Sequence, residues 1–259
     1  MTPRPAAAST ESFTRETFEN VWSPQLRNRR DVDVYLPPSY SAGRRRYPVV
    51  YMHDGQNLSD PAKAFAGTWR LDDVLSHLAE HTGLELIVVG VHNTGARLIE
   101  YSPFPDRKHG GGDADRYLAF LIDTLKPRID RVFRTARAAR QTATVGSSMG
   151  GLFSVYAWLR RPDVFALAGV MSPSLWFGRD RLFGFVEASR LPRGRIYLDV
   201  GTGEGAATLR DARTLKAMLE SKGAQAGESL SYLEDRGGRH DEASWSKRLE
   251  DVLAFLIGG

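Results

Sequence analysis

An α/β fold on a mostly parallel central sheet of about eight strands is what the sequence predicts, and three observations lead there. Short β-rich runs alternate with longer amphipathic ones almost to the last residue. Most of the short runs are continuously apolar, as strands covered on both faces are. The first two are different: 13–22 and 30–36 alternate apolar and polar residues, the mark of half-buried leading strands paired antiparallel.

Taken in order, Pro37 and Pro38 stop the second leading strand, because proline fixes φ and lacks the N–H a ladder needs. The buried runs follow at 48–53, 86–92, 142–146, 166–171 and 195–201, with a weaker last strand at 229–233. Between them, apolar residues recur at helical spacing over 69–80, 114–130, 149–160, 206–221 and 242–257. Pro127 is expected to kink the second helix or end its first segment, and Pro162 fixes the end of the third.

The chain has 259 residues, 42% hydrophobic and 25% charged, which excludes a disordered, collagenous or fibrous protein. No stretch reaches the roughly 18 apolar residues of a membrane-spanning helix, so no membrane partner is expected. With no cysteine there is no disulfide scaffold, thiolate zinc site, iron–sulfur cluster or cysteine nucleophile. A net charge of +4 without a long cationic tract gives no reason to expect a nucleic acid. Residues 1–12 lack the apolar core of a secretion signal and read as a mobile tail of a cytoplasmic protein, although a trimmed signal would leave the same terminus. No repeat or composition break divides 13–259, so one domain is expected there.

Ligands of such sheets bind beyond the carboxyl ends of the strands, and that is where the chemistry-bearing residues fall. Gly146-Ser-Ser-Met-Gly150 matches G-x-S-x-G between an apolar strand and an amphipathic helix. A serine on so tight a strand-to-helix turn needs small neighbours two positions away, which Gly146 and Gly150 supply. Ser148 is then the nucleophile. In this motif the order along the chain is serine, acid, histidine. Of the six histidines only His240 follows Ser148, in the loop before the last helix. His53 and His92 end strands and read as scaffold; His77 and His81 stand at helical spacing with no third metal ligand, so no metal is expected.

The acid must leave the end of the 195–201 strand. Glu204, beyond the Gly201-Thr-Gly203 turn, fits a carboxylate projecting from the carboxyl edge better than Asp199 inside the strand, with Asp235 and Asp241 as weaker alternatives. The oxyanion hole needs two N–H donors, assigned to Met149, after the nucleophile, and Gln56, in the loop after an earlier central strand. Gly201-Thr-Gly-Glu-Gly-Ala206 also fits a dinucleotide fingerprint, but only 53 residues (259 − 206) follow, too few for the remaining βα units. No organic cofactor is expected.

These stretches, with Arg30-Asp-Val-Asp-Val-Tyr-Leu-Pro-Pro38, Tyr51-Met-His-Asp-Gly-Gln-Asn57, Val89-Gly-Val-His-Asn-Thr-Gly95, Arg97, Glu100, Tyr101-Ser-Pro103, Met171-Ser-Pro-Ser-Leu-Trp176 and Trp245, resemble the enterochelin-esterase-like (esterase D) branch of the α/β-hydrolases. That branch also holds feruloyl esterase modules and mycolyltransferases. The resemblance runs from about Arg29 to Phe255. It implies a single α/β-hydrolase domain, Ser148, Glu204 and His240 as a triad, Gln56 and Met149 as the oxyanion hole, and Trp176 near the acyl or leaving-group pocket. Ser59 departs from the aromatic residue common after Asn57-Leu58, a change expected at the pocket rim. Arg97 either meets a polar or anionic part of the substrate or pairs with Glu100; Trp22, Trp158 and Trp245 are expected in the core.

The reading is a serine carboxylic-ester hydrolase working through an acyl-enzyme on a small, aryl, sugar-linked or siderophore-type ester. Its alternatives are an acyltransferase on the same triad and a catalytically silent binding protein of hydrolase fold.

Overall fold

The computed structural model describes residues 13–64 and 67–258; the tail expected over 1–12 lies outside the described residues. Eight strands, β1 (Thr14–Ser23), β2 (Asn28–Leu36), β3 (Val49–His53), β4 (Ile87–Val91), β5 (Thr142–Ser147), β6 (Leu167–Met171), β7 (Arg195–Gly201) and β8 (Leu230–Asp235), form one sheet in the order β1-β2-β4-β3-β5-β6-β7-β8. The first two enter antiparallel, with Val32 opposite Val91 where β2 meets β4, and every pairing from β4 through β8 is parallel.

The helices are α1 (Leu71–Thr82), α2 (Arg97–Tyr101), α3 (Ala114–Ala119), α4 (Lys126–Val132), α5 (Met149–Arg160), α6 (Arg179–Ala188), α7 (Ala206–Ser221) and α8 (Glu242–Ile257). Side chains alternate along each buried strand, so each strand feeds two cores. Val50 and Met52 of β3 join Leu75 of α1 and Leu253 of α8, while Tyr51 between them packs with α3, α5 and α7 on the other face. Both faces being covered explains why the inner strands read as unbroken apolar runs.

Two helices escape the periodic pattern. α2 is a single short turn, and α6 (RDRLFGFVEA) carries an interior glycine and buries only Leu182 and Val186. Pro127 leaves no gap in the helical run from Ala114 to Val132 and stands in the first turn of α4. The turn ahead of it widens into a π-helical stretch, Phe120–Leu125, which spares the chain the missing N–H and the ring's crowding of the preceding turn. Trp22, expected in the core, stands on the edge strand 46% exposed beneath the guanidinium of Arg29, 5.4 Å from its ring. Trp158 is fully buried.

One buried ion pair ties the antiparallel entry to the catalytic edge of the sheet. Arg30 of β2 meets Glu100 of α2 at 2.9 Å, both side chains sealed, with Asn28 also donating to that carboxylate at 2.6 Å. The guanidinium lies over the rings of Tyr117 and Phe120. Because removing one partner leaves the other charge buried and unpaired, Glu100→Ala is expected to lower unfolding free energy by about 3–5 kcal/mol, read from denaturant unfolding curves.

Candidate active site

β5 ends at the centre of the sheet and turns at once into α5, and Ser148 occupies the turn with φ 57° and ψ −121°. A serine holds this left-handed conformation only where its surroundings dictate it. Here the backbone is clamped on both sides: Ser148 N–H donates to Met171 O at 3.0 Å, and its carbonyl accepts from Ser174 N–H at 2.9 Å and Leu152 N–H at 3.0 Å. Gly146 is required by packing, since a Cβ there would stand 2.7 Å from the Gly150 carbonyl carbon and 2.9 Å from the His53 ring.

The neighbouring strand ends supply the rest. Ser148 Oγ lies 2.9 Å from His240 Nε2, and His240 Nδ1 lies 2.7 Å from Glu204 Oε2. Glu204 comes from the 3-10 turn after β7 and His240 from the loop after β8. The other carboxylates considered for this place are engaged elsewhere. Asp241 caps α8 by accepting from Ser244 N–H, Asp235 pairs with Arg248 at 2.7 Å, and Asp199 lies fully buried beneath the site, 2.9 Å from the same Arg248. Burial pushes the Asp199 carboxyl up, to about 7, against the pull of Arg248 and the Ser172 N–H. For Glu204 burial works in the same upward direction, but hydrogen bonds from His240, Ser172 and Gly201 N–H outweigh it and hold the carboxyl below its ordinary value.

On the opposite flank, Gly55–Asn57 form a 3-10 turn after β3, entered through Asp54 at φ 57°. Gly55 lets this turn press on β4: a Cβ would stand 2.4 Å from the Gly90 carbonyl carbon. Met149 opens α5, and Gln56 lies in the first turn of its own short helix, so neither N–H has an acceptor within its helix. The Gln56 side chain accepts from Asn93 N–H at 3.1 Å.

A cavity of about 470 Å³ opens over Ser148 and His240, lined further by Asp54, Gln56, Asn93, Arg97, Glu242 and Trp245 among others. Arg97 does reach it, but its pairing with Glu100 is not made. Glu100 is taken by Arg30, and Arg97 instead grips Asp54 with Nε and Nη2, each at 2.7 Å. Burial opposes the charge on Arg97, yet Asp54 outweighs it and keeps the guanidinium firmly protonated. Burial, with Asp54 and Asp241 nearby, pushes the Glu242 carboxyl up.

A family model described as "Putative esterase" matches residues 23–256. The chain belongs to this esterase family. It is a member of the enterochelin-esterase-like branch of the α/β-hydrolases and a carboxylic ester hydrolase. The esterase is 27% identical to the uncharacterized protein YbbA of Bacillus subtilis over 89% of this chain and 93% of that one. It is 28% identical to the apo-salmochelin esterase of Escherichia coli over 77% of this chain, spanning 63% of that protein's length. In fold it is similar to the BES protein of Bacillus cereus, with a TM-score of 0.74, 20% identity and 99% and 98% of the two chains covered.

Several parts of the esterase lie elsewhere than the sequence suggests. Trp176 is 50% exposed, packed on His109 and Phe177 at 5.5 Å, and is not among the residues lining the cavity. Ser59 belongs to a separate surface groove with Arg15, Asp60 and Asp72 rather than to the rim. Trp245 is buried as expected, but it also lines the cavity and stands edge-on to His240, ring centres 5.0 Å apart. His53 and His92 are fully engaged in the scaffold, His53 with Thr144 and Tyr117, His92 with Asp33. Burial holds His53 neutral, near 3. His77 meets Glu250 at 2.7 Å and stacks on His81.

Asp54 and Asn93 in the cavity, and Ser172 and Ser174 beside the three central residues, lie in stretches that carry the family resemblance but receive no role from the sequence; Glu242 and Arg248 lie in no such stretch. Only the spacing of Trp245 and Arg248, three apart on one helix face, hints that both point at the same place. Because Glu204 titrates lower folded than unfolded, its contribution to stability is present above the ordinary glutamate value and is lost as pH falls through the lowered one. The gap in unfolding free energy between wild type and Glu204→Gln is therefore expected to be widest above the ordinary glutamate range and to close as pH falls through the lowered value, as denaturant titrations across acidic and neutral pH would record.

Proposed function

We propose that this esterase is a serine hydrolase that cleaves carboxylic esters through an acyl-enzyme. The observation that carries the reading is the unbroken chain Ser148 Oγ, His240 Nε2, His240 Nδ1, Glu204 Oε2, with links of 2.9 and 2.7 Å. His240 takes the proton of Ser148 as Oγ attacks the ester carbonyl, and Glu204 holds the imidazole in the tautomer whose Nε2 is free to accept it. The negative charge that develops on the carbonyl oxygen is met by the N–H groups of Met149 and Gln56, preorganised at the starts of their helices. The protonated His240 then delivers its proton to the departing alkoxide. Water, activated by the same imidazole, releases the acid and restores Ser148.

The His240 side chain is 42% exposed, so water has access to the acyl-enzyme, and this favours hydrolysis over transfer to an alcohol. A cavity of about 470 Å³ suits a small to medium ester. The names of several relatives, siderophore esterases and a xylanase/feruloyl esterase of which the chain covers 63–65% and 30%, support siderophore-type, aryl or sugar-linked esters as the class to assay. Arg97, with Asp54 and Asn93, is assigned the polar end of that substrate, and Trp176 an outer contact beyond the cavity.

A fluorophosphonate probe is expected to label wild type at Ser148 and to leave Ser148→Ala unlabelled, with nitrophenyl-ester hydrolysis falling by several orders of magnitude. Labelling of the Ala variant at the wild-type rate would refute the nucleophile. Among the acids, Glu204→Gln is expected to lose far more turnover than Asp199→Asn. The opposite ranking in folded protein would move the orienting role to Asp199.

A further inference from the structure

Behind the acid lies a side chain that the ester-cleaving scheme does not use. Ser172 follows β6 at φ 41°, has no exposed surface, and places its hydroxyl among three polar neighbours. Trp245 Nε1 lies 2.9 Å from its Oγ, Arg248 Nη2 3.0 Å, and Glu204 Oε1 2.5 Å. A hydroxyl has one proton and two lone pairs, while indole and guanidinium nitrogens only donate. The two donors therefore occupy both lone pairs, and the single proton of Ser172 has one destination, Glu204 Oε1. Its position is fixed from below as well: Ser172 N–H donates to Asp199 Oδ1 at 2.9 Å, and Arg248 is held between Asp199 and Asp235.

We propose that Ser172 is a positioning residue for ester hydrolysis, its hydroxyl polarised by Trp245 and Arg248 and committed to one oxygen of the triad acid. Glu204 Oε1 receives Ser172 O–H together with Gly201 N–H at 2.7 Å, which leaves Oε2 alone facing His240. The carboxylate cannot swing about its own axis without breaking both bonds on the far side, so the imidazole is aimed through it at Ser148. The same two donors draw charge out of the carboxylate and moderate its pull on the His240 proton. This inference rests on the triad reading of Ser148, His240 and Glu204.

The charged groups that face this relay are few. They are Glu204 itself, Asp199 from β7, Asp235 from β8, Arg248 from α8, Arg239 and Asp241 beside His240, and Glu242 with the Arg97–Asp54 pair across the cavity. Losing the Ser172 hydroxyl leaves the charge on Glu204 more concentrated, so it holds the imidazolium proton more tightly, and the base becomes available only at higher pH.

The test is the pH profile of kcat/KM on a soluble aryl ester for wild type, Ser172→Ala and Ser172→Gly. Glycine removes the hydroxyl while suiting the positive φ, so the second variant separates loss of the hydrogen bond from backbone strain. Both variants are expected to lose roughly ten- to a hundredfold in kcat, the equivalent of a hydrogen bond to a charged group, with KM little moved. In both, the acidic limb should shift upward by about half a unit or more. A limb that stays at its wild-type position in both variants, or a wild-type kcat in either, overturns the role of Ser172. A wild-type profile with no acidic limb, or an active Ser148→Ala, overturns the triad reading and this inference with it.

Discussion

The constraint on which the site depends is the backbone of a single residue. Ser148 sits at φ 57°, a conformation a serine does not choose, and the structure around it consists largely of what holds it there. Gly146 and Gly150 make room for the turn, His53 packs into that room as a neutral ring, and Met171 O and Ser174 N–H take hold of the peptide groups of Ser148. The reward is geometric. The Ser148 hydroxyl is raised clear of the strand end with the first N–H of α5 beside it, the pair that the proposed mechanism uses as nucleophile and oxyanion donor. The neutral state of His53 belongs to the same logic, because a charge on this buried ring would have lost its solvation.

The second half of the site is assembled from the edge of the sheet inward. β7 and β8 deliver Glu204 and His240, the proposed acid and base, on loops, and loops alone are poor at holding a hydrogen bond to a fraction of an ångström. Here α8 reaches under both. Trp245 stands edge-on to His240, and Arg248 is clamped by Asp199 and Asp235 while it touches Ser172. A buried ion network of this sort is weak evidence for stability, since the cost of desolvating the charges offsets most of their attraction. Its value is orientation. The three carboxylates of this corner are kept distinct by their surroundings: Asp199 is driven towards neutrality by burial, Glu204 is kept ionised by donors, and Asp235 stands partly in solvent.

Much of this was legible in the sequence because it depends on local pattern. The five inner parallel strands were readable because both their faces are covered, and the elbow because steric closure demands glycine at fixed positions. Glu204 was separable from Asp199 by an argument about strand geometry alone, and the side chains stand accordingly, one at the loop and one inside the sheet. What the sequence hid is nonlocal. The partner of Arg97 is Asp54, 43 residues away, because Glu100 is already claimed by Arg30 from 70 residues upstream. Neither fact leaves a trace in local spacing. Trp22 misleads for a related reason: its strand is an edge strand, so one face of an apparently amphipathic run looks outward to solvent and to Arg29. The short helices α2 and α6 lack the length over which periodicity becomes a signal.

The order in which the sheet is laid down has a consequence for a chain emerging from the ribosome. From β5 to β8 the strands are added one beside the next, in the same direction in space as in sequence. Ser148, the proposed nucleophile, is therefore synthesised 92 residues before the histidine its hydroxyl meets. Until that histidine is made, the Ser148 hydroxyl has no imidazole to accept its proton. On the proposed mechanism the site is complete only with α8 in place, because its Trp245 and Arg248 meet Ser172 beneath the two loops.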